Sequence, residues 1–121
     1  MKPIVVIDDD QDMRETLSEL LVEEGYPVRS FANGAEALAE LKRDGGQAAL
    51  IILDLMMPVM NGWRFRQEQS KDARLRRIPV IAMSAVADFL PPPSPRPDRL
   101  MVKPVNIQRL LEDVAREVRR S

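Results

Sequence analysis

Four apolar runs in this chain each end in side chains able to do polar chemistry. Ile4-Val5-Val6-Ile7 runs into Asp8-Asp9-Asp10, the run to Leu53 ends at Asp54, the run to Met83 ends at Ser84, and a fourth, short run ends at Lys103-Pro104. Carboxylates brought together from two such runs repel one another strongly at close range, and a bound divalent cation relieves that repulsion. Histidine and cysteine are both absent, so any cation here must be hard and oxygen-bound. Mg²⁺ fits best, because it takes a few carboxylates and keeps water and phosphate oxygens as its other ligands. Lys103 adds a positive charge and Ser84 a hydroxyl donor. Acid, metal, hydroxyl and lysine together suit a phosphoryl group, whose charge the metal and the lysine neutralise. Taken singly, each residue has a plainer use. An acid after a strand usually sits in a turn or caps a helix, and Asp10 and Asp12 fit that use better than metal binding. The joint occurrence of the others favours a site.

Such a site requires strands that end side by side. Residues 4–7 read as the first strand. Residues 11–24 carry Met13, Leu17, Leu20 and Leu21 at the spacing of one helix face, with Asp10 as cap and Gly25 as the end. Residues 27–31 read as a weaker strand, since proline suits a strand's first position. Asn33 and Glu36 form a capping-box-like start for a helix to about residue 43, which Asp44-Gly45-Gly46 breaks. Residues 48–53 and 78–83 are buried-type strands. Between them Pro58 and Asn61-Gly62 mark a loop, and a helix then runs to about residue 69, burying Trp63 or Phe65. Residues 99–103 are short and strand-like. Asn106 caps a last helix with Ile107, Leu110, Leu111, Val114 and Val118 on one face, and Arg116, Arg119 and Arg120 complement its C-terminal dipole. Strand–helix units repeated five times, with continuous apolar strands, predict an α/β fold: a doubly wound five-stranded parallel sheet, order 2-1-3-4-5. Ligands of such a sheet bind beyond the carboxyl ends of its strands, which is where the acids, Ser84 and Lys103 fall.

Composition narrows the field. The 121 residues are one domain's worth of chain, 1–121, with 45% hydrophobic and 31% charged residues. Eighteen basic against nineteen acidic side chains give a net charge of −1, which argues against a nucleic-acid partner. No apolar run is long enough to span a bilayer, and acids by position 8 exclude a signal peptide, so no membrane role and a cytoplasmic location are expected. Half of the ten prolines lie in Pro91-Pro92-Pro93-Ser94-Pro95-Arg96-Pro97, which excludes a helix there. A rigid surface loop is the preferred reading, ahead of a P-x-x-P-like docking segment. Arg64, Arg66, Lys71, Arg74, Arg76 and Arg77 are diluted by Glu68 and Asp72 and read as a solvated face, while Met56, Met57 and Met60 pack or line the loop.

Four segments carry a family resemblance: Ile4-Val5-Val6-Ile7-Asp8-Asp9-Asp10, Leu53-Asp54-Leu55-Met56-Met57-Pro58-Val59-Met60-Asn61-Gly62, Ile78-Pro79-Val80-Ile81-Ala82-Met83-Ser84-Ala85, and Lys103-Pro104. Over nearly its whole length the chain resembles a response-regulator receiver domain of two-component signal transduction. The resemblance implies a flavodoxin-like receiver fold in which Asp54 is the phosphoacceptor of a phosphorelay. Its carboxylate would take a phosphoryl group from the phosphohistidine of a partner histidine kinase or histidine phosphotransfer protein, or from a small donor, and the acyl phosphate would later hydrolyse. By the same resemblance Mg²⁺ is held by Asp9 directly, by Asp8 through water, by Asp54 and by the backbone carbonyl of Met56. Ser84 would hydrogen-bond the phosphoryl oxygens and Lys103 would pair with them. The bond before Pro104 is often cis in this family. Phosphorylation then biases a two-state equilibrium that switches protein–protein interactions with a downstream target. A receiver is a signalling protein and not an enzyme in its own right, although it catalyses its own phosphorylation and dephosphorylation.

Two departures from the family pattern bear on output. Leu100 stands three residues before Lys103, where the family usually has Tyr or Phe, so no aromatic ring can rotate inward there. The segment from Ser84 to Lys103 is short and proline-rich, so helix 4 of the family, between the fourth and fifth strands, is expected to be shortened or missing. The chemistry is expected to be retained and the readout altered. The alternative is a receiver-fold interaction module whose output is independent of phosphorylation. A calcium loop at Asp8, Asp10, Asp12 and Glu19 fails because Met13 occupies the position that needs glycine. A phosphatase with an Asp-x-Asp start leaves Asp54 unexplained, and Asp8-Asp9-Asp10 would repel the phosphate of a flavin nucleotide. With no effector domain within its length, the chain is a stand-alone receiver or a piece of a longer protein.

Overall fold

The computed structural model describes residues 1–55, 61–85 and 97–120. In chain order these form β1 (Ile4–Ile7), α1 (Gln11–Glu23), β2 (Val28–Phe31), α2 (Gly34–Arg43), β3 (Leu50–Asp54), α3 (Gly62–Ser70), β4 (Val80–Ser84), β5 (Arg99–Val102) and α4 (Ile107–Arg120). The strands make one parallel five-stranded sheet in the order β2-β1-β3-β4-β5, as the apolar runs predict. The expected loss of the helix before β5, and most of the proline run, fall outside the described residues.

Because successive strand residues point to opposite faces, the sheet feeds two cores. Val5, Ile7, Ile51, Leu53, Val80 and Ala82 pack on one face with Ala37, Leu41, Trp63 and Phe65. Ile4, Val6, Leu50, Ile52, Ile81 and Met83 pack on the other with Leu17, Leu21, Leu110 and Val114. Burial on both faces is why β1 is apolar throughout, and β3 and β4 up to their last residues, with no alternation.

Caps set the helix starts. The Asp10 side chain accepts from the N–H groups of Asp12 and Met13, Asn33 from Glu36, Asn61 from Arg64, and Asn106 from Arg109. Gly25, at φ +94°, turns the chain after α1. Five sequence expectations need correction. β3 and β4 begin two residues later than the apolar runs, since the buried Ala48, Ala49 and Ile78 and the half-buried Pro79 lie before the ladders. Asn61-Gly62 starts α3 and does not merely mark a loop. Both Trp63 and Phe65 are buried, and Ile107, at the first position of α4, is exposed. Finally, Arg66 is not on a solvated face. It is half-buried and donates to Gln69 Oε1 at 2.8 Å, while the buried Gln69 amide donates to the carbonyls of Leu75 and Ile78.

Candidate functional site

Parallel register brings the strand ends together. Ile7 pairs with Leu53, so Asp8 and Asp54 are the next residues along two neighbouring strands. Asp54 pairs with Met83, which puts Ser84 one step beyond it on β4. Ser84 pairs with Val102, and the Lys103 N–H donates to the Ser84 carbonyl at 2.8 Å. Asp8, Asp54, Ser84 and Lys103 thus gather at one rim of the sheet. Asp10 does not join them, being committed to the α1 cap. The carbonyl of Met56 lies outside the described residues.

The rim is an unusual place for charge. Asp8 is fully buried, Asp54 is 3% exposed and Ser84 1% exposed. Lys103 Nζ lies 3.4 Å from Asp54 Oδ2 and 3.8 Å from Asp8 Oδ2. One oxygen each from Asp8, Asp9 and Asp54 fall within 4.8 Å of one another. One ammonium cannot balance three carboxylates this close. The strain appears on Asp8. Burial pushes its carboxyl from 3.8 up to about 6, and the charge of Asp54 adds to the rise, while the Asp10 N–H and Lys103 oppose it. Asp8 Oδ1 accepts from that N–H at 2.9 Å, but Oδ2 is buried with no hydrogen-bond partner. A buried carboxylate oxygen left without a donor is costly unless something else meets it. The donor set is all oxygen, which fits a hard divalent cation.

Two positions of the site escaped sequence reasoning. Arg14 Nη1 donates to the Asp8 carbonyl at 2.8 Å. Nothing in the spacing marks it, because it acts on backbone from six residues away. Gly62 holds the start of α3 against the residue after Asp54. A β-carbon there would lie 2.6 Å from Leu55 Cα, and the Gly62 N–H donates to the Leu55 carbonyl at 3.0 Å. The doublet Asn61-Gly62 carried that signal, but it reads equally well as a turn. The Lys103-Pro104 bond is cis.

Comparison with known proteins agrees in extent and in kind. The family profile described as the response regulator receiver domain matches residues 4–115. The chain is 36% identical over 117 residues to a probable transcriptional regulator, ycf27, of Porphyridium aerugineum, covering 97% of this chain and 48% of that one. It therefore spans about half the length of that relative. It is 30% identical over 115 residues to the response regulator receiver protein CpdR of Brucella abortus (strain 2308), covering 94% of both. Among solved structures, the response regulator protein TrrA of Thermotoga maritima, in complex with Mg²⁺-BeF, matches with a TM-score of 0.84 at 34% identity, covering 97% of this chain and 99% of that one.

Proposed function

The chain belongs to the response regulator receiver family, and on that premise we propose that Asp54 accepts a phosphoryl group from a partner histidine kinase or histidine phosphotransfer protein. A carboxylate oxygen of Asp54 forms the new O–P bond. The P–N bond to the donor imidazole breaks, and the imidazole leaves with the electron pair. Mg²⁺, held by Asp8, Asp9, Asp54 and the carbonyl of Met56, would supply positive charge to the phosphoryl oxygens. Lys103 pairs with a phosphoryl oxygen once the Asp54 charge has been used in the bond, and the Ser84 hydroxyl donates to another. Burial of Asp8 and Asp54 keeps water from competing with these contacts. The whole of 1–121 is read as one receiver domain that acts in the cytoplasm by switching protein–protein contacts, with no nucleic-acid partner. No helix among the described residues is long and apolar enough to cross a membrane.

The observation that carries this reading is the meeting of three carboxylates within 4.8 Å, with Lys103 Nζ 3.4 Å from Asp54. The test is intact mass after incubation with acetyl phosphate. Wild type should gain one phosphoryl group with Mg²⁺ and none with a chelator, and Asp54→Asn should gain none. A wild type that neither gains the group nor binds beryllofluoride with Mg²⁺ would sink the proposal.

A second reading, an interaction module whose output ignores phosphorylation, is favoured by Leu100. This aliphatic side chain packs, half-buried, on the cluster that contains Leu55 and Trp63. On this reading, filling the site leaves that packing unchanged.

A further inference from the structure

Arg14 stands apart from the acids, the hydroxyl and the lysine, yet it is bonded to one of them. It is half-buried on the first turns of α1, and its Nη1 donates to the Asp8 carbonyl. Asp8 is thereby pinned on each side of its α-carbon. Its N–H donates to the Phe31 carbonyl at 3.2 Å, its carbonyl accepts from Arg14 at 2.8 Å, and its Oδ1 accepts from the Asp10 N–H at 2.9 Å. With those contacts made, the remaining oxygen is the one that faces the site. That is Oδ2, buried, without a hydrogen bond, and 3.8 Å from Lys103 Nζ. Arg14 is itself fixed, since its own N–H donates to the Asp10 carbonyl at 2.9 Å in the turn that the Asp10 side chain caps. The choice of a carbonyl as partner matters. An arginine paired with a carboxylate would occupy an oxygen that a cation needs. Among the described residues the Asp8 carbonyl is the only partner of the Arg14 side chain.

We propose that Arg14 is a positioning residue for divalent-cation binding. It locks the β1–α1 turn so that Asp8 Oδ2 and the Asp9 carboxylate converge with Asp54, and it does so through a backbone carbonyl without consuming a carboxylate oxygen. The proposal rests on the metal-dependent reading given above. Groups that orient metal ligands typically contribute about 10–100-fold in affinity.

The test is calorimetric titration of Mg²⁺ into wild type, Arg14→Ala and Arg14→Lys, with phosphoryl gain from acetyl phosphate followed across Mg²⁺ concentrations. Arg14→Ala should weaken Mg²⁺ binding about ten-fold or more. Its rate of phosphoryl gain should recover once Mg²⁺ saturates. Arg14→Lys keeps an N–H donor for the Asp8 carbonyl, and should recover part of the lost affinity. Circular dichroism in chelator establishes that the variants are folded. If Arg14→Ala does not fold, Arg14→Lys carries the test with a smaller weakening in the same direction. Unchanged Mg²⁺ affinity in a folded variant overturns the proposal, as does a lower maximal rate with affinity unchanged. A wild type that takes up no Mg²⁺ overturns it together with the functional reading.

Discussion

Asp8 carries a titration that the rest of the site imposes on it. Its carboxyl is raised from 3.8 to about 6, first by burial and then by the charge of Asp54. The folded chain therefore holds this proton more tightly than the unfolded chain does. The stability that Asp8 contributes is fully present below about pH 3.8 and is lost as pH rises through about 6. Asp8→Asn removes that titration while leaving an oxygen to accept from the Asp10 N–H. In chelator, the variant should unfold at a higher temperature than wild type near pH 8, by the equivalent of about 1–3 kcal/mol. The gap should close toward about pH 4. Thermal unfolding across that range checks it, and a gap that does not vary with pH would remove Asp8 as its source. The place of Asp8 beside Asp54 and Lys103 was legible from its position at the end of an apolar run. Its burial and its shifted carboxyl were not, because both depend on how β1 sits between β2 and β3.

Helix and strand boundaries were legible where a cap announced them and blurred where burial continued past the hydrogen-bond ladder. Asp10, Asn33 and Asn106 each sit at the helix start that the sequence predicted. Ala48, Ala49 and Ile78 are as buried as strand residues and so extend the apolar runs, although β3 begins at Leu50 and β4 at Val80. Glycines show the same division between local and tertiary causes. Gly25 is required by its backbone, at φ +94°, with nothing within 4 Å of where a β-carbon would be. Gly62 is required by contact, since its β-carbon would lie 2.6 Å from both Cα and Cδ2 of Leu55. Gly25→Ala should cost about 1 kcal/mol and leave phosphoryl gain untouched. Gly62→Ala should cost about 1–3 kcal/mol and also slow phosphoryl gain, because it pushes on the residue after Asp54. Denaturant unfolding and phosphorylation half-times of the two variants separate these cases. Equal rates in both would remove Gly62 from any role at the site.

At the level of the molecule, the alternation along β3 ties the two cores into one body. Ile51 and Leu53 enter one cluster while Leu50 and Ile52 enter the other, and Asp54 follows directly. The site thus sits at the end of the strand on which both faces depend. This arrangement was legible in outline, because unbroken apolar runs imply a sheet covered on both sides. Which side each helix covers was not, since a continuous run gives no phase. One consequence is optical. The chain has a single tryptophan, Trp63, and it is buried in the cluster that includes Leu55 next to Asp54 and supports Leu100 on β5. Its emission is therefore a one-site report from the ground between Asp54 and the edge strand, with no other indole to dilute it. If phosphorylation propagates toward β5, beryllofluoride with Mg²⁺ should shift or quench that emission in wild type and not in Asp54→Asn. A spectrum that stays still while the ligand binds would mark a receiver whose signal never passes through this face of the sheet.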